Sequence, residues 1–136
     1  ATTLALEAIR ARIALLPDPA DPAFTAPAAG ILDELRRLER LTADAARTGM
    51  GAAEVTVALA GVRTAYRELM LTAARSPHAS IGQRLFAARD RARLTEAEAA
   101  TAAGVAPETI ANAEAGQPLS AAEVTAIDGL LTALGG

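Results

Sequence analysis

Three short patterns divide the second half of the chain into helices before any other argument is needed. Ser80-Ile-Gly-Gln83, Thr95-Glu-Ala-Glu98 and Ser120-Ala-Ala-Glu123 each place a hydroxyl three residues ahead of a Glu or Gln. In such a capping box the hydroxyl accepts from the third helical N–H, and the Glu or Gln accepts in turn from the N–H of the cap residue. Donors that every helix start leaves unsatisfied are thereby met. A single pattern of this kind is common. Three of them, each opening an apolar run, predict helices over about 80–92, 95–103 and 120–134. A further helix over about 107–115 follows Ala103-Gly104-Val105-Ala106-Pro107. Gly104 can take the positive φ of a tight turn, and Pro107 suits the first helical position, where no N–H is required. Val105 can plug the corner. Two short helices joined by a glycine turn form a helix-turn-helix arrangement.

The first half reads as three helices. Leu6, Ile9, Ile13 and Leu16 recur at helical spacing over 2–16. Pro17, Pro19, Pro22 and Pro27 then make 17–29 a stiff connector, with Phe24 available to pin it to a neighbouring surface. Over 31–48 the stripe is Ile31, Leu35, Leu38, Thr42 and Ala45, widened by Leu32 and Leu41, and Gly49 is a natural stop. Over 52–75, Val55, Leu59, Val62, Tyr66 and Leu69 alternate steps of four and three in a heptad-like seam. Gly61 sits on another face with Ala53, Val57 and Ala65, where a close helix approach would compensate its helix cost of roughly 1 kcal/mol. Ser76-Pro77-His78-Ala79 is the expected boundary, between a region 1–75 and a domain 80–136.

Composition agrees with an all-α chain. Alanine supplies 37 of 136 residues and aromatics only 2%, which favours helix over sheet and implies thin, closely spaced cores. There is no cysteine and one histidine, His78, so disulfides, thiol chemistry and the usual structural zinc sites are excluded. Three serines stand outside any nucleophile-elbow pattern, and no phosphate- or dinucleotide-binding glycine motif is present. No cofactor and no enzymatic activity are expected. The longest uncharged stretch, 22–32, is too short to span a bilayer and contains two prolines. No signal-peptide pattern is visible, and a cytoplasmic location is expected. All 13 basic residues are arginine; with the alanine bias, this points to a high-GC bacterial genome.

The stretch from Ile81 to Gly116, with Leu85, Arg89, Leu94-Thr95, Glu98, Ala100, Gly104-Val105, Thr109-Ile110, Glu114 and Gly116 as its matching positions, resembles the Cro/lambda-repressor-type helix-turn-helix family, also called the xenobiotic-response-element family. The resemblance covers about 80–134. In most members the reader is N-terminal, whereas here it lies at the C-terminal side. The resemblance implies that helix 95–103 crosses the DNA backbone and helix 107–115 enters the major groove. Ala106, Pro107, Glu108, Ala111 and Asn112 would then face the bases, and Arg89 and Glu114 would form a structural ion pair. Leu85, Leu94, Ala99, Val105, Ile110, Ala113, Ile127, Leu130 and Leu134 would fill the core.

Two functional expectations follow. In the first the chain is a DNA-binding transcription regulator with double-stranded DNA as its partner. Arg84, Arg91 and Arg93 are then the phosphate contacts. Glu108 can accept from cytosine, and the Asn112 amide can pair with adenine. The N-terminal helices would form a homodimer, as two half-sites about 34 Å apart require, or would bind a partner. The second expectation is a helix-turn-helix adaptor that acts through protein–protein contacts and reads no DNA. It draws on Glu96, which stands where the family usually has Gln, and on a recognition helix with Glu108, Glu114 and no basic residue. Residues 76–136 hold four arginines against seven acids, a net charge of −3, where a DNA reader usually presents a basic face.

Overall fold

The structure, a computed structural model, describes residues 2–49 and 51–136. Every regular element among them is helical. In order these are α1 (Thr2–Ala14), a one-turn 3-10 helix (Pro22–Phe24), α2 (Thr25–Thr48), α3 (Ala52–Ala74), α4 (Ile81–Ala92), α5 (Glu96–Ala103), α6 (Pro107–Glu114) and α7 (Ala121–Ala133). The chain divides into two compact units, one ending at Pro77 and the other beginning at His78. No helix among the described residues is long and apolar enough to cross a membrane.

In the first unit α2 and α3 pack along one another and α1 lies against both. The turn between the pair uses left-handed glycines, Gly49 at φ +76° and Gly51 at φ +60°. Ile31, Leu32 and Leu35 of α2 and Val62, Leu69 and Met70 of α3 are buried, as are Leu6, Ile9 and Phe24. The α3 seam is used inside the chain. Val62 and Leu69 are buried, Val55, Leu59 and Tyr66 are half-buried, and the Arg36 guanidinium lies 5.6 Å from the Tyr66 ring centre. At Gly61 α1 comes close to α3. A Cβ there would stand 3.0 Å from Leu6 Cδ2, and the Arg10 guanidinium donates to the Gly61 carbonyl at 3.4 Å.

Two expectations need correction. The proline-rich connector does not run over all of 17–29, because α2 already begins at Thr25. Pro27 is its third residue. The first N–H groups of a helix have no acceptor within it, so a proline there removes no hydrogen bond. Ahead of it, Asp21 accepts from the Ala23 N–H at 2.9 Å and caps the 3-10 turn. Leu41 and Ala45 are not part of the core stripe: Leu41 stands 68% exposed and Ala45 is exposed too. Thr42, one residue after Leu41, takes the buried position and donates to the Leu38 carbonyl at 2.7 Å. Adjacent helical residues point about 100° apart, so Thr42 and Leu41 cannot share one narrow face.

In the second unit α4 to α7 enclose Leu85, Ala88, Ala99, Ala100, Ile110, Ala113, Ile127, Leu130 and Leu131, with Val105 and Leu134 half-buried against them. All three capping boxes close. The backbone N–H of Gln83 donates to Ser80 Oγ at 3.1 Å, that of Glu98 to Thr95 Oγ1 at 3.0 Å and that of Glu123 to Ser120 Oγ at 3.2 Å, each with the return bond present. Small residues let the helices approach. Gly82 is the extreme case: a Cβ on it would fall on the Ala113 carbonyl group and stand 3.0 Å from Glu114 Cα.

One of these caps carries a pH dependence. The Ser120 backbone N–H, helped by the Ser120 and Thr109 hydroxyls, holds the Glu123 carboxyl below the usual carboxylate range. A depressed folded pKa contributes stability that is present above the unfolded value near ~4.3 and is lost as pH falls through the folded value. Glu123→Gln keeps the acceptor and removes the titration, as Gln83 does in the first box. Its thermal midpoint should therefore fall less than that of the wild type between about pH 6 and about pH 3, read by circular dichroism. Identical falls in the two proteins would contradict this role.

Candidate nucleic-acid interface

The corner between α5 and α6 is built by backbone geometry. Gly104 sits at φ +73°, and the Val105 N–H donates to the Ala100 carbonyl at 3.0 Å, closing the end of α5 in the way a left-handed cap does. Val105 turns into the core. Ala106 then takes the cap position of α6 with extended backbone and no side-chain cap, and Pro107 is the first helical residue. Along α6 the buried side is Ile110, Ala113 and Glu114. Pro107, Glu108, Ala111 and Asn112 are exposed, as is Ala106 ahead of them. Helical spacing puts the four helical residues on one solvent-facing side. The Thr109 hydroxyl hydrogen-bonds Glu123 Oε2 at 3.3 Å and ties α6 to α7.

Arg89 and Glu114 fix the other end of α6. Arg89 Nε and NH2 donate to the two Glu114 carboxylate oxygens, both at 2.9 Å, and NH1 donates to the Leu94 carbonyl at 3.0 Å. The pair is largely shielded, with side-chain exposures of 17% and 7%. The guanidinium also lies 5.4 Å from the Phe86 ring centre. Burial pushes the Glu114 carboxyl above its ordinary value against the pull of Arg89, and the field of Glu96 adds to the rise. The bond to Glu114 holds Arg89 still more firmly as a cation. One fork thus joins α4, the α4–α5 turn and the last residue of α6.

Arg84 and Arg91 lie two turns apart on α4 and are exposed. Arg93 follows the helix end, also exposed, at φ +57°, and is the one non-glycine with positive φ among the described residues. α5 and α6 end on the same backbone device with glycines, Gly104 at φ +73° and Gly116 at φ +78°, whereas α4 ends on an arginine. The Leu94 N–H closes that end onto the Arg89 carbonyl at 3.0 Å. Among the described residues no ion pair engages Arg84, Arg91 or Arg93, and no hydrogen bond joins them to the exposed side of α6. Glu96 and Glu108, in the first turns of α5 and α6, are exposed too. Pattern reading missed Gly82 and the Thr109–Glu123 bond. A glycine inside a capping box has no periodic signature, and a bond between residues 14 apart has none either.

Residues 9–80 match the family described as MSMEG_6518_N, N-terminal domain. An uncharacterized protein of Mycolicibacterium smegmatis (strain ATCC 700084 / mc(2)155) is 48% identical over 126 residues, covering 93% of this chain and 98% of its own length. That match therefore runs through both units. No solved structure matches the chain.

Proposed function

The chain belongs to the family described as MSMEG_6518_N, N-terminal domain, and we propose that it is a DNA-binding transcription regulator whose second unit is the reader. In this reading α5 and α6 form a helix-turn-helix of the Cro/lambda-repressor type, with α6 as the recognition helix. The observation that carries it is the single exposed side of α6 formed by Pro107, Glu108, Ala111 and Asn112, on a helix held at both ends by the Gly104 corner and the Arg89–Glu114 fork. Glu108 and Asn112 would meet base edges, and Arg84, Arg91 and Arg93 would neutralise phosphates. The proposed role is non-enzymatic and cytoplasmic. A homodimer through the first unit would set two readers on one duplex. Leu4, Leu41 and Val57, 68–73% exposed, are its natural apolar contacts.

Arg93 offers a test that separates binding from folding. A left-handed backbone costs an ordinary residue roughly 1–2 kcal/mol, part of which glycine returns as unfolded-chain entropy. Arg93→Gly should therefore stabilise the second unit by about 0.5–1 kcal/mol. The same change removes one phosphate contact. Three such contacts predict a slope of log affinity against log salt of about −2.7 per reader, and Arg93→Gly should reduce its magnitude by about 1. A more stable variant with an unchanged slope would overturn the role of Arg93.

A second reading, a protein-binding adaptor, is favoured by one specific observation. The exposed side of α6 carries Glu108 and no basic residue, in a unit whose net charge is −3. The changes Glu96→Gln and Glu108→Arg together distinguish the two. A reader weakened by repulsion should gain affinity for duplex DNA, whereas an adaptor should gain none.

A further inference from the structure

The first unit contains a pocket of about 530 Å3 that the reading of the second unit does not use. Its volume lies in the ~300–1,000 Å3 range of small-molecule sites. Ile13 of α1, Leu16, Phe24 and Leu69 of α3 supply an apolar lining. Phe24 and Leu69 are buried and Ile13 and Leu16 half-buried, so the pocket has a packed floor and an open rim. Part of that rim is Pro17-Asp18-Pro19. The two prolines restrict the backbone there, and Asp18 Oδ1 accepts from the Ala20 N–H at 2.8 Å. The wall therefore exists before any ligand arrives.

Two carboxylates and one guanidinium line the pocket, an excess of negative charge. Asp18 and Glu68 both line it and are both exposed. Among the described residues Glu68 has no ion-pair partner, and the Asp18 carboxylate has only its bond from the Ala20 N–H. The one cation in the lining, Arg10, is turned to the Gly61 carbonyl. α1 also ends at Ala14, next to Ile13 and Leu16, which brings the negative end of its dipole to the same rim. The Thr72 side chain adds a hydrogen-bonding group. We propose that this pocket binds a small organic cation, an amine carried on an apolar or aromatic body. The body would occupy the Ile13, Phe24 and Leu69 surface, and the ammonium would sit between Asp18 and Glu68. The inference stands on the first unit alone and does not depend on DNA reading by the second.

Three probes of one shape test it: phenethylamine, 2-phenylethanol and phenylacetate, titrated at neutral pH into the full chain and followed by amide chemical shifts. Phenethylamine is expected to saturate with a Kd of about 1 mM, a normal affinity for so small a molecule. The shifts should be centred on Ile13, Leu16, Leu69 and Thr72, and phenylacetate should bind least. Glu68→Gln should weaken phenethylamine roughly fivefold. Glu68→Arg, at an exposed position that leaves the floor intact, should reverse the preference toward phenylacetate. Equal binding of the three probes, shifts centred elsewhere, no saturable binding of phenethylamine, or an unchanged preference in Glu68→Arg would each overturn the proposal.

Discussion

Gly82→Ala is expected to unfold the second unit while leaving the first folded. The added Cβ would fall on the Ala113 carbonyl, 2.7 Å from its carbon, with Glu114 Cα at 3.0 Å. These are backbone atoms of α6, and no side chain can rotate out of the way. Overpacking typically costs 1–3 kcal/mol where side chains can give, so about 3 kcal/mol or more is expected here. A unit of about 60 residues is held by only roughly 3–9 kcal/mol. The measurement is an amide spectrum in which signals from 80–134 collapse toward random coil and those of the first unit persist. Gly129→Ala is the matched control. It lies inside α7 with nothing within 4 Å of the added carbon, so the better helix propensity should raise stability by up to about 1 kcal/mol. The same substitution in one unit thus has opposite signs, decided by what the new carbon meets. A wild-type spectrum and melting curve for Gly82→Ala would contradict the close approach of α4 and α6.

Removing either member of the Arg89–Glu114 fork should cost nearly as much. Each partner is largely shielded, and the survivor would be left as an unpaired charge with hydrogen bonds unmet. Losses of about 3 kcal/mol are normal for breaking such a pair. Arg89→Ala loses three hydrogen bonds, including the one that fixes the Leu94 carbonyl. Replacing both partners at once, Arg89→Met with Glu114→Leu, removes the orphaned charge and should recover more than half of the loss in urea denaturation. Additive losses in that double variant would show that the pair acts through packing and not through charge. Because the fork holds the last residue of α6, the single variants should also blur the orientation of the exposed α6 side.

Local chemistry explains which parts of this fold were legible in the sequence. The start of α4, α5 and α7 follows from Ser80, Thr95 and Ser120 because a capping box is written within four residues. Gly61 was readable as a place of close approach because a glycine amid a small-residue helical face has few other uses, and Leu6 of α1 does approach it. The start of α2 was not, since a proline looks the same whether it breaks a helix or sits harmlessly in its first turn, as Pro27 does. Leu41 misled for a related reason. Thr42 was rightly placed on the stripe, and it is buried with its hydroxyl returned to Leu38, but the stripe is too narrow to take Leu41 beside it. Gly82 left no trace at all, because its reason is a contact with the backbone around Ala113, far along the chain. For the candidate interface, the resemblance to the helix-turn-helix family, rather than any periodicity, singled out the residues of α6. Their common exposure on α6 and the left-handed backbone of Arg93 came only from the structure.

In the proposed function the exposed side of α6 reads duplex DNA, with Arg84, Arg91 and Arg93 on phosphates. Selection from random duplexes with the full chain, at about 50 mM and about 150 mM salt, tests it most directly. The expected result is an enriched inverted repeat with half-sites about 34 Å apart, retained more weakly at the higher salt and lost when Asn112 and Glu108 are both changed to alanine. No enrichment and no retention on DNA at about 50 mM salt, from a chain that is fully folded, would contradict it and leave the adaptor reading in its place.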